Sequence, residues 1–132
     1  MLELEALTEQ VIGAAMEVHR ELGPGFLEKV YEEALCMELE LRGLGWERQV
    51  AVPLKYKGRQ LRRKHRVDVM VEGVLVVEIK AVEKVVWVHE CQLVSYLKAG
   101  EKRVGLLLNF NVPLMKDGIH RRVMTGKSRR LY

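Results

Sequence analysis

The segment Val74-Leu75-Val76-Val77-Glu78-Ile79-Lys80 is apolar until it brings in Glu78 and Lys80, two residues apart. In an extended strand those two side chains project to the same face. A carboxylate and an ammonium are seldom set into an apolar strand without partners, because each loses its hydration there. A plain ion pair at the strand end is one explanation. The other is a divalent-metal site, with Glu78 as a hard oxygen ligand and Lys80 facing the substrate or the attacking water. Asp68, between Val67 and Val69 on the preceding strand, supplies a second carboxylate. Two such groups, with the Ile79 carbonyl as a further ligand, leave Mg²⁺ or Mn²⁺ open positions for water and phosphate, as Mg²⁺ prefers. The chemistry that fits is phosphodiester hydrolysis, which needs a metal-activated water and stabilisation of charge on the phosphate oxygens.

Register decides whether the two acids can meet. A tight two-residue turn at Glu72-Gly73 pairs Val71 with Val74 and sends Asp68 and Glu78 to opposite faces, because a slip of one residue flips every side chain. A three-residue loop or a bulge brings them together, so the metal reading requires an irregular hairpin. Two crowded carboxylates repel, which predicts a raised pKa for at least one of them, with Lys80 opposing the shift. Two helices supply further candidates. Glu28 stands in the first turn of a helix directly after Gly25, where the helix dipole favours an acid and where it could complete the metal shell. Gln92 and Tyr96 are four residues apart on a third helix and share a face with His89; they are candidates to fix Lys80 and the scissile phosphate.

The elements that must position these residues are legible from periodicity. Leu4, Leu7, Val11, Ala14, Val18 and Leu22 predict a helix over about 4–22, stopped by Gly23-Pro24-Gly25. A second helix over about 26–43 presents Leu27, Val30, Ala34, Met37 and Leu41 as its core stripe. Alternation then predicts strands near 50–56, 59–71 and 74–80, a helix over about 85–97, and strands at about 104–110 and 119–123. The order is ααβββαββ, an α/β fold with a mixed central sheet flanked by helices, in one domain over residues 1–132 with a basic tail from about 124. Cys36 and Cys91 have no CxxC and no His cluster, which excludes a zinc ribbon or disulfide scaffold and suits a reducing, cytoplasmic setting. No apolar run is long enough for a membrane span, and the acidic start has no signal-peptide pattern. Phosphate-loop, dinucleotide, nucleophile-elbow and HExxH motifs are lacking, and His19, His65 and His120 are expected to be structural.

Charge is segregated. Residues 1–47 carry a net −8 and residues 48–132 a net +12. Lys55, Lys57, Arg59, Arg62, Arg63, Lys64 and Arg66 form a run without an acid, and Arg121, Arg122, Lys127, Arg129 and Arg130 form a second. Such asymmetry is the footprint of a polyanion partner, so Arg62, Arg63, Lys64, Arg66, Arg121, Arg122, Arg129 and Arg130 are candidate nucleic-acid contacts.

Several short blocks, in order, resemble a known family. Val18-His19-Arg20-Glu21-Leu22-Gly23-Pro24-Gly25 runs into Gly25-Phe26-Leu27-Glu28-Lys29-Val30-Tyr31, followed by Asp68, Glu78-Ile79-Lys80-Ala81-Val82, Gln92, Ser95-Tyr96-Leu97 and Gly105-Leu106-Leu107-Leu108-Asn109-Phe110. Together they resemble the GxxExxY proteins of the PD-(D/E)xK nuclease superfamily over roughly residues 8–123. The resemblance implies a restriction-endonuclease-like core, Glu28, Asp68 and Glu78 as acidic site residues, Lys80 as the superfamily lysine, and Gln92 with Tyr96 as a QxxxY helix motif. Val67 stands where the superfamily name has proline. Two function classes follow. One is a Mg²⁺-dependent nuclease acting on DNA rather than RNA, with branched or single-stranded substrates as variants and a homodimer left open. The other is a non-catalytic nucleic-acid-binding or assembly module on the same fold.

Overall fold

In the computed structural model, which describes residues 2–124, helices α1 (Leu2–Leu22) and α2 (Glu28–Leu41) precede strands β1 (Trp46–Tyr56), β2 (Arg59–Val71) and β3 (Leu75–Lys80). Helix α3 (Trp87–Ala99), strand β4 (Val104–Asn109), a 3-10 turn (Met115–Gly118) and strand β5 (Ile119–Val123) follow. The five strands lie in the order β1-β2-β3-β4-β5, with β3 and β4 parallel and the other pairs antiparallel. The architecture is α/β with a mixed sheet flanked by helices, in the order read from the sequence. β3 and β4 are buried on both faces almost throughout, which explains why their sequences are continuous apolar runs.

α1 and α2 cover one face through Val11, Ala14, Ala15, Val18, Tyr31, Leu35 and Leu39, packed on Val69, Val71, Leu75, Val77 and Ile79. α3 covers the other through Leu93 and Leu97 on Val52, Val67, Met70, Val76 and Leu107. The expected core stripe of α2 is overturned except at Ala34, which packs on the core: Leu27 is 81 % and Leu41 82 % exposed, and Val30 and Met37 are exposed as well. The helix has a second apolar arc, and Tyr31 chooses it. The Tyr31 ring stacks on Phe110 with centroids 4.6 Å apart, and its hydroxyl donates to the Gly23 carbonyl at 2.6 Å. That bond ties the turn after α1 to the first turn of α2 and fixes the rotation of the helix.

Glu72, Gly73 and Val74 form a three-residue loop between β2 and β3, with Glu72 and Gly73 at φ 52° and 69°. Val71 consequently pairs with Leu75, Met70 with Val76 and Val69 with Val77, the register that continues to Asp68 opposite Glu78. After Lys80, the side chain of Asn109 clamps the connection to α3, accepting from the Val82 N–H at 3.0 Å and donating to the Val82 carbonyl at 2.9 Å. His89 closes the start of α3, its Nδ1 accepting from the Val86 N–H at 3.1 Å. α3 lies close on β4 because Gly105 has no side chain: a Cβ there would stand 2.7 Å from a Leu93 methyl. Gly105→Ala is therefore expected to lower stability by roughly 1–3 kcal/mol through overpacking, read as a lower urea midpoint. An unchanged midpoint would mean that α3 is free to shift on the sheet.

Candidate active site

Alternation from Val76, packed under α3, puts Glu78 on the α3 side of the sheet, and Asp68 stands beside it on β2, at the point where that strand changes face. Asp68 is half-buried and its Oδ2 accepts the Ile79 backbone N–H at 2.8 Å. Glu78 is 6 % exposed. Among the described residues its Oε1 is buried without a hydrogen bond and faces His65 Nε2, equally without one, at 3.6 Å. The His65 ring stacks on Tyr96 with centroids 3.3 Å apart and planes 8° from parallel, which joins β2, β3 and α3 at one point.

The electrostatics follow from burial. Loss of hydration pushes the Glu78 carboxyl up to about 8, assisted by the Asp68 charge and opposed by a hydrogen bond from the Asp68 backbone and by Lys80. Asp68 is raised as well, first by burial, and then by Glu32, while the Ile79 N–H pulls it down. His65 is lowered by burial and Lys80 against the opposing pull of Asp68, and the Tyr96 phenol is raised by burial and by both carboxylates. The expected raised carboxylate is present, with desolvation exceeding mutual repulsion as its cause. Lys80 is half-buried, and among the described residues it forms no ion pair with Glu78. A plain Glu78–Lys80 salt bridge therefore does not account for the two charges.

The other candidates fall on both sides of this group. Glu28 is exposed in the first turn of α2. Among the described residues no three His, Cys, Asp or Glu side chains gather as a metal-holding group, so the three-acid set of Asp68, Glu78 and Glu28 is not assembled. The acid that α2 buries near Asp68 is Glu32, which accepts from Arg48 Nε at 2.9 Å and Gln49 Nε2 at 3.1 Å and sits 3.4 Å from Lys29 Nζ. Gln49, at φ 53°, also bonds toward Asp68 and so links the buried Glu32 to the site. Glu32 was legible as an acid on the same arc as Leu35, Cys36 and Leu39. Gln92 is exposed, with no hydrogen bond to Lys80 among the described residues, whereas Tyr96 reaches the carboxylates. His65, expected to be structural, stands at the carboxylates; the signal for that position is its place two residues before the buried Val67 on the same strand face. His19 bonds the Val112 carbonyl at 2.7 Å and is structural.

Arg62, Arg63, Lys64 and Arg66 are exposed, and Arg66 donates to the Gln49 carbonyl at 3.1 Å. Arg121 is exposed, but Arg122 is ion-paired with Glu90 of α3, which occupies its charge. Arg129 and Arg130 lie outside the described residues, as does Lys127. The donor set fits a divalent cation on one observation: Glu78 Oε1 is a buried carboxylate oxygen without a partner, beside a second carboxylate. Two carboxylates leave the remaining positions of such an ion to water and substrate. No helix among the described residues is long and apolar enough to cross a membrane. In comparisons with known proteins, the model of the PD-(D/E)XK nuclease superfamily matches residues 5–122. No curated protein and no solved structure matches the chain.

A carboxyl with a folded-state pKa near 8 against an ordinary 4.5 holds a proton that the unfolded chain has released, so stability falls as pH rises from about 4.5 to about 8 and then levels. Glu78→Gln, measured by thermal melts in a metal chelator, is expected to melt near wild type at pH 4.5 and above it at pH 8–9. An advantage that shrinks as pH rises would contradict the assignment.

Proposed function

The chain belongs to the PD-(D/E)XK nuclease superfamily, and from that premise we propose that it is a divalent-metal-dependent nuclease that hydrolyses phosphodiester bonds of DNA. The observation that carries this reading is the adjacent, desolvated pair of Asp68 and Glu78, with Lys80 beside it and, among the described residues, not spent on an ion pair. Mg²⁺ or Mn²⁺, held by Asp68 and Glu78, would supply Lewis acidity and an activated water. The protein's own groups do the rest. The Ile79 N–H holds Asp68 in place, and the His65–Tyr96 stack shields Glu78 from solvent. Lys80 presents its ammonium where negative charge grows on the phosphate oxygens, in surroundings dry enough to strengthen that attraction. Gln92 would act from the exposed side of α3, on the phosphate rather than on Lys80. Arg62, Arg63, Lys64, Arg66 and Arg121 would hold flanking phosphates, with Arg129 and Arg130 assigned by charge alone.

The exposed position of Glu28 favours a second reading, a nucleic-acid-binding module in which the acid set is incomplete. Cleavage assays over linear, nicked, branched and single-stranded DNA with Mg²⁺ or Mn²⁺ separate the two. Glu78→Ala and Lys80→Ala are each expected to reduce cleavage by about a hundredfold or more while leaving DNA affinity within a few fold, because affinity comes mainly from the basic surface. Circular dichroism of each variant guards against loss through unfolding. A wild type that binds DNA and cuts none of these substrates gives the binding module precedence, and cleavage that survives Glu78→Ala places the chemistry elsewhere.

A further inference from the structure

β3 pairs with only the last three residues of β2, Val69–Val71. Upstream of that, among the described residues, β2 and β1 pair with one another alone and form a two-stranded ribbon that closes through Lys57 and Gly58, at φ 50° and 77°. Positive φ at both turn residues matches the right-handed twist of the strands, and the register shift between Pro53 and Lys55 adds to that twist. From His65 at the carboxylates to Arg59 at the tip is six residues, or about 20 Å of strand. Every residue from Arg59 to Lys64 is exposed, and no acid lies between Glu47 and Asp68.

The cations are divided between both faces of this ribbon. His65 turns toward α3, since it stacks on Tyr96. With a period of two, Arg63, Leu61 and Arg59 share its face, and Lys64 and Arg62 take the other. A ribbon lying flat along one phosphate backbone needs charge on one face only. Phosphates on both sides occur between the walls of a groove, and the major groove of B-form DNA, about 12 Å wide, admits a two-stranded ribbon. We propose that this ribbon enters the major groove of double-stranded DNA beside the cut site, with Arg59 and Arg63 on one phosphate wall and Arg62 and Lys64 on the other. A reach of about 20 Å corresponds to about six base steps, so the substrate carries at least that much duplex next to the scissile phosphate. This inference rests on the proposed nuclease reading and adds the strandedness of the substrate to it.

Fluorescence anisotropy without divalent ions, using a 25-base-pair duplex and a single strand of equal length, tests it. Arg59→Gln/Arg63→Gln and Arg62→Gln/Lys64→Gln are each expected to weaken duplex binding to a similar degree. Each pair should also flatten the dependence of log Kd on log salt by about two units. The wild type should bind the single strand at least about tenfold more weakly than the duplex. Duplex binding that responds to one pair only, or a single strand bound as tightly as the duplex, overturns the ribbon's role and leaves the nuclease reading standing. Binding of neither probe overturns both. All four side chains are exposed and outside both cores, so the variants should keep the wild-type circular dichroism spectrum, which is checked alongside.

Discussion

Two carboxyl groups that repel each other are kept together out of water at the end of β3, and much of the surrounding structure serves to hold them there. Burying either group ionised is costly, and leaving a buried oxygen unpaired costs on the order of 1–3 kcal/mol. The fold offsets this in part. Asp68 accepts the Ile79 N–H, Gln49 links it to the buried Glu32, and Arg48 neutralises Glu32. Glu78 keeps one oxygen unmatched, opposite an unmatched nitrogen of His65. Strain of this sort, retained where an apolar residue would cost less, is a feature of sites that bind something.

The position of Asp68 along β2 explains how one strand serves several purposes. Val67 packs under α3 while Val69, two residues on, packs under α1 and α2. The strand changes face at Asp68, and opposite it Gln49 drops out of the register at positive φ. Before this point β2 belongs to a charged ribbon, and after it to the buried sheet. The acid at the junction is thereby reachable from the ribbon side and still desolvated from the core side.

Much of this was legible in the sequence, because it depends on periodicity and on charges that contradict their surroundings. Glu78 and Lys80 stand out in an apolar strand, and the demand for an irregular hairpin was met by the loop at Glu72, Gly73 and Val74. What escaped depends on rotation and on contacts between distant segments. The stripe of α2 that looked like core faces solvent because Tyr31 is pinned by Phe110 and Gly23, neither of which periodicity can weigh. The same rotation buries Glu32 and leaves Glu28 outside. His65 offered no motif, since its partner Tyr96 lies on another element. Asn109 carries no motif at the end of its apolar strand, and it holds both backbone groups of Val82 and so fixes the path from Lys80 to α3.

In the proposed nuclease the raised Glu78 carboxyl, together with Asp68, forms the seat of a divalent cation. Titration calorimetry of Mn²⁺ into the protein at pH 7, repeated in buffers of different ionisation enthalpy, addresses it directly. With a carboxyl pushed up to about 8, Glu78 holds its proton at pH 7 and must release it when the ion binds. Saturable binding is expected, with close to one proton released per ion, a release that fades above pH 8 and disappears with binding in Glu78→Gln. Mn²⁺ binding with no buffer dependence at pH 7, or undiminished in Glu78→Gln, would contradict it.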